Sequence, residues 1–151
     1  MSLAEFVLQL RNKWEQPNSQ RKGVDWIEDS DDCSIPAQVV KTLRIDNKNE
    51  PRGFDFLHSC YRHNFGYGNY KKQKMFTAEN REKVDEQFKK EMYDECDNNY
   101  RDLLRVQWSQ CRSLARTYWL FVRLCRGGLC ENAASMIDKF LDKLNPLAHF
   151  D

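Results

Sequence analysis

Cys60-Tyr61-Arg62-His63-Asn64-Phe65-Gly66-Tyr67 carries four polar side chains at helical spacing. Cys60, His63, Asn64 and Tyr67 stand at i, i+3, i+4 and i+7. On a helix they share one face, an arc of about 100°. A helix that packs only a core presents Leu, Val or Ala on such a face. Here the face holds a thiol, an imidazole, a carboxamide and a phenol. Polar groups turned inward need partners, or each costs roughly 1–3 kcal/mol. The face is therefore either wired to partners or built for chemistry.

The helix that bears this face is expected to open at Gly53-Phe54-Asp55-Phe56 and to end near Lys72. Gly66 and Gly68 would each cost it about 1 kcal/mol relative to Ala, which points to close approach by another backbone or by a substrate. Thr77 suits the N-cap of a second helix, from Ala78 to about Cys96. Val84, Phe88, Met92 and Cys96 form its apolar stripe, and Asp85 falls inside that sector. A carboxylate there is either an edge residue reaching water or the partner of a buried imidazole.

Three further helices are expected. Leu3 to Trp14 repeats apolar residues at Leu3, Phe6, Val7, Leu10 and Trp14 and stops at Pro17-Asn18. Tyr100 to Leu124 is rich in Leu, Trp, Tyr and Arg, with Trp119-Leu120-Phe121-Val122 as core. Glu131 to Leu144 gathers Ala134, Ile137, Phe140, Leu141 and Leu144 on one side. No strand signal, repeat or low-complexity segment competes. The expectation is an all-α fold, a small disulfide-bonded helical domain built on two long helices that can lie antiparallel.

The 151 residues fit a single domain, 1–151, and 40% hydrophobic with 31% charged residues reads as globular rather than disordered. A net charge of +1 gives no sign of a nucleic-acid partner. No apolar run approaches the ~20 residues that a transmembrane helix needs. Six cysteines form an even set. They read either as buried thiols of a reduced cytosolic protein or as three disulfides of a secreted one. Cys125-Arg-Gly-Gly-Leu-Cys130 has the spacing of a short closed loop, which favours disulfides. Met1-Ser-Leu-Ala-Glu5 lacks the basic start and apolar core of a signal peptide, so the expectation is a secreted protein whose signal has been removed.

Glu28-Asp29-Ser30-Asp31-Asp32-Cys33 makes a poor strand and a poor helix interior, and reads as a loop. It is either a solvated turn or a flexible set of oxygen ligands suited to calcium. Pairing with the helix favours the cation site. A neutral imidazole accepts a proton from water when a carboxylate holds its other nitrogen, and such a base is worth roughly 10²–10⁴-fold in rate. His63 with Asp85 on a facing helix meets that need. A cation held by the acidic loop and Asn64 would polarise a substrate carbonyl beside the base. No Gly-x-Ser-x-Gly elbow is present, so water is the expected attacker. Cys60-x2-His63 has zinc-ligand spacing, but no Cys-x2-Cys partner accompanies it.

Gly53-Phe-Asp-Phe, Cys60-Tyr-Arg-His63-Asn-Phe-Gly-Tyr-Gly-Asn-Tyr70 and Val84-Asp85-Glu-Gln-Phe88-Lys-Lys-Glu-Met92 together resemble the small secreted phospholipases A2 of bacteria and fungi. That family's pattern is Cys-x-Arg-His-Asp-Phe-Gly-Tyr-x-Asn-Tyr followed by an Ile/Val-Asp-x-x-Phe helix. The resemblance covers about Asp25 to Cys111, the expected core, with helical extensions at both ends. It implies a mostly helical fold and calcium-dependent release of the sn-2 fatty acid from phospholipid at a membrane surface. By matched position it makes His63 the base, Asp85 its orienting partner and Tyr67 a substrate-binding candidate. It makes Asp31 the first calcium ligand, with Asp32 giving its backbone carbonyl and Asn64 standing at the last ligand position. It also implies disulfides Cys33–Cys60 and Cys96–Cys111, leaving Cys125–Cys130 as an addition.

One departure matters. The family has Asp where this chain has Asn64. A carboxamide oxygen can still ligate calcium but brings no charge, so affinity should fall toward the ~10⁻⁴–10⁻³ M range of weak extracellular sites. This departure keeps a second reading open, a non-catalytic lipid- or receptor-binding relative.

Overall fold

The computed structural model describes residues 2, 5, 8, 33, 35, 40–41, 43–101 and 104–124. Within these, a 3₁₀ turn at Pro51–Gly53 precedes three helices: α1 (Leu57–Lys72), α2 (Ala78–Tyr100) and α3 (Arg105–Leu124). The described residues contain no strand, and the all-α expectation holds. Ser2 and Glu5 exchange side chain-to-backbone hydrogen bonds at 3.2 Å, the capping-box pattern of a helix N-terminus. The apolar stripe expected from Leu3 to Trp14, the loop Glu28–Asp32 and the helix expected from Glu131 to Leu144 lie outside the described residues.

Helix α1 begins four residues later than the sequence suggests. Gly53 has φ +85°, a conformation that cannot continue into a right-handed helix. Asp55 Oδ1 then accepts the Leu57 amide at 3.2 Å, satisfying one donor of the first turn. The helix ends at Lys72, as expected, in a Schellman motif. The Lys74 amide donates to Lys71 O and the Met75 amide to Tyr70 O. Lys74 occupies the left-handed position, φ 57°, where Gly is the usual residue.

Thr77 caps α2 as expected, its hydroxyl accepting the Asn80 amide at 3.1 Å. The helix runs on past Cys96 to Tyr100, so α3 starts at Arg105 rather than at Tyr100. Asp97 explains the extension. It accepts Trp108 Nε1 at 2.7 Å and Arg112 Nη1 at 2.8 Å, which rewards an extra helical turn despite its modest helix propensity.

Contacts between α1 and α2 pair His63 with Asp85, Arg62 with Glu91 and Gly66 with Val84. Those between α2 and α3 pair Asp85 with Arg123, Lys89 with Trp119 and Cys96 with Cys111. Partner numbers fall on one helix as they rise on the other, so consecutive helices are antiparallel. Disulfide Cys33–Cys60 ties the preceding chain to α1, and Cys96–Cys111 joins α2 to α3. Closing the latter loop, a sequence separation of 15, contributes about 3 kcal/mol in the chain-entropy account. Cys125 and Cys130 lie outside the described residues.

The main core gathers Phe54, Phe56, Phe88, Met92, Leu114, Tyr118 and Phe121 around both disulfides. A smaller cluster of Phe65, Tyr67, Tyr70 and Val84 packs at the far end of α1. Of the Trp119–Val122 run only Phe121 is fully buried; its neighbours are half-buried against the core. A Cβ on Gly66 would meet Val84 Cγ1 at 3.1 Å. The close approach expected at this glycine is therefore made by a side chain, not by backbone. It lets α1 and α2 draw together one residue from Asp85.

Candidate functional site

Helix α1 carries His63 and Tyr67 one turn apart, and α2 carries Asp85 opposite them. All three are buried, and Asp85 is 0% exposed. His63 Nε2 lies 2.7 Å from Asp85 Oδ1. The Tyr67 hydroxyl donates to the same oxygen. Arg123 Nη1, from the last turn of α3, donates to Asp85 Oδ2 at 2.7 Å. Arg81, one turn before Asp85 on α2, has Nε 3.9 Å from Oδ2. The His63 ring packs between Tyr67 and Phe88, with centroids 4.1 and 4.6 Å away.

The protonation pattern follows from these contacts. Burial alone would raise Asp85, but hydrogen bonds from His63, Tyr67 and Arg123 and the nearby positive charge hold it below the ordinary carboxylate value. An ionised carboxylate can only accept, so His63 donates from Nε2 and keeps a lone pair on Nδ1. Burial lowers His63 below 6.5 and outweighs the attraction of Asp85; Arg81 lowers it further. The imidazole is thus neutral at neutral pH. Burial first, then Asp85, pushes the Tyr67 phenol up, so it remains a donor.

Asn64 follows His63 on α1 and is half-buried. Asp31 and Asp32, the other expected calcium ligands, lie outside the described residues. Among the described residues no group of three or more His, Cys, Asp or Glu side chains could hold a metal ion. The structure thus joins His63, Asp85 and Tyr67 at one point and ties Cys33 to Cys60, one turn before His63. Sequence reasoning missed both arginines. Arg81 was accessible in principle, since i and i+4 residues meet on a helix. Arg123 gave no signal, because only the packing of α3 brings it to Asp85.

Residues 2–126 match the family model of prokaryotic phospholipase A2. The chain belongs to that family. It is similar to a secretory phospholipase A2 of Arthroderma benhamiae, 38% identical over 106 residues, which cover 70% of this chain and 62% of the relative. It is also similar to a secretory phospholipase A2 of Beauveria bassiana, 32% identical over 120 residues, 80% of this chain and 50% of the relative. The chain thus spans between half and two thirds of the length of these curated relatives.

Proposed function

We propose that this chain hydrolyses the sn-2 ester of glycerophospholipids with water activated by His63. The observation that carries this reading is the buried 2.7 Å contact between His63 Nε2 and Asp85 Oδ1. Nδ1 takes a proton from water as the water oxygen adds to the ester carbonyl carbon. It then returns that proton to the departing lysophospholipid oxygen, and a free fatty acid is the other product. Asp85 holds the ring in the required tautomer and stabilises the imidazolium formed midway. Tyr67 fixes the same carboxylate oxygen, and its ring edge is a candidate contact for substrate.

Calcium fits the donors this chain offers: the Asp31 carboxylate, the Asp32 backbone carbonyl and the Asn64 carboxamide are all oxygens suited to a hard cation. Asp31 is two residues along the chain from Cys33, whose Cα lies 4.9 Å from that of Cys60 on α1. When bound, the ion would supply Lewis-acid pull on the ester carbonyl and charge for the oxyanion. The relatives' names support secretion, and no described helix is long and apolar enough to cross a membrane. The match over residues 2–126 supports reading that span as one domain. The competing reading, a non-catalytic lipid- or receptor-binding relative, rests on Asn64 alone, whereas the paired base favours the enzyme.

The test is fatty-acid release from phospholipid vesicles with millimolar calcium. Release that vanishes with chelator and in His63→Ala supports the proposal. Vesicle binding without product supports the non-catalytic relative, and hydrolysis unchanged by both treatments rules out this mechanism.

A further inference from the structure

The two oxygens of Asp85 keep different company. Oδ1 receives His63 and Tyr67, while Oδ2 receives Arg123 at 2.7 Å and faces Arg81 Nε at 3.9 Å. A base of this kind needs only the first oxygen. The terminal torsion of an aspartate is broad and soft, so bonds to one oxygen leave the carboxylate free to swing. A bond to the second oxygen from a different helix removes that freedom.

The same arginines also build the platform. Arg81 Nη2 donates to the carbonyls of Val122 and Arg123, each at 2.9 Å. One guanidinium on α2 thus closes the C-terminal end of α3, where backbone carbonyls otherwise lack partners. Arg123 projects from that closed turn. Its backbone is held by Arg81 and its side chain is spent on Asp85, so α3 is coupled to the carboxylate at both ends of one residue. Arg123 is 28% exposed, which screens its charge; its contribution is therefore one of geometry more than of ion-pair energy.

We propose that Arg123, seated by Arg81, is a positioning residue that locks the Asp85 carboxylate and thereby sets the direction of the His63 ring. This rests on the hydrolase reading above. The third helix, which contributes nothing to the motif on α1 and α2, then completes the catalytic pair.

The test compares Arg123→Gln and Arg123→Lys, each in the wild-type and Asp85→Asn backgrounds. Fatty-acid release is measured on phosphatidylcholine–phosphatidylglycerol vesicles with saturating calcium. Arg123→Gln should lower kcat by as much as about 10²-fold with KM unchanged, the loss that a misplacement of ~1 Å can bring. Arg123→Lys should recover part of it, and neither change should cost anything further in Asp85→Asn. A raised KM with unchanged kcat would mean that Arg123 meets the substrate directly. Losses that multiply in the Asp85→Asn background would mean that it acts independently of Asp85. Either result overturns the proposal.

A second measurement needs no turnover. The His63 Nε2–H proton, observed by NMR at fixed pH, should exchange faster with water in Arg123→Gln at unchanged melting temperature. Should Arg123→Gln fail to fold, Arg123→Lys serves, with a smaller increase. An unchanged exchange rate overturns the positioning role even in a protein that releases no fatty acid. Absent release from wild type with the exchange effect present would sink the hydrolase reading alone.

Discussion

Two of the three aspartates on helix α2, Asp85 and Asp97, are separated by about 18 Å of helix at 1.5 Å per residue. Each accepts an arginine and an aromatic donor. Asp97 takes Arg112 and the Trp108 indole beside the Cys96–Cys111 disulfide. Asp85 takes Arg123 and the Tyr67 phenol. Both are held below the ordinary carboxylate value, because their hydrogen bonds and nearby positive charge outweigh what burial would do. What separates them is water and one further partner. Asp97 is 28% exposed and its partners are structural; Asp85 is 0% exposed and faces an imidazole. The same anchoring device serves as a clasp at one end of the bundle. At the other it holds the imidazole of the proposed base. A low carboxylate pKa therefore does not by itself tell the two sites apart; complete burial against an imidazole does.

Removing each carboxylate should break this comparison most visibly. Asp85→Ala leaves His63, Tyr67 and Arg123 without their shared partner, and should destabilise the fold by about 3 kcal/mol, the lower end for a broken buried pair. It should also cut vesicle hydrolysis by about 10²–10⁴-fold, the worth of a general base. Asp97→Ala, at a half-exposed pair, should cost about 1 kcal/mol and leave kcat unchanged. Urea denaturation and initial rates on the two variants measure both quantities; equal stability losses would erase the distinction.

Acid should sharpen it. His63 and Asp85 both lie below their ordinary values in the folded protein. The unfolded chain therefore binds more protons, and stability falls as pH falls. The His63 share is fully present above 6.5 and is lost as pH drops below that value toward its lowered folded value. The Asp85 and Asp97 shares are lost only below 3.8. Urea midpoints followed downward from neutral pH should decline in two stages. His63→Gln should remove the upper stage, and Asp97→Asn should soften only the lower one.

The smallest expected effect lies at the junction of α1 and α2. Lys74 holds a left-handed conformation that costs an L-residue roughly 1 kcal/mol. Lys74→Gly should raise stability by at most that amount, read as a higher urea midpoint, without altering hydrolysis.

Much of the α1–α2 half was legible because its signals are local. The spacing of His63 and Tyr67 defines a face, Thr77 is a cap, and Asp85 interrupts an apolar stripe. The start of α1 was misplaced because helical composition at Phe54–Phe56 does not reveal the left-handed turn at Gly53. The end of α2 was misplaced because Asp97 earns its helical place through Trp108 and Arg112, which a propensity reading does not see. The Cys33–Cys60 and Cys96–Cys111 pairing came from family resemblance; spacing pointed only to Cys125 and Cys130. Arg123 stands 38 positions from Asp85 in the chain, and only tertiary packing makes them neighbours.

The ¹⁵N resonances of the His63 ring at neutral pH test most directly the claim that a buried, neutral imidazole is presented by Asp85. A protonated Nε2 and a Nδ1 with the shift of a free lone pair are expected. A proton on Nδ1 with the lone pair at Nε2, or a doubly protonated ring, would contradict that claim.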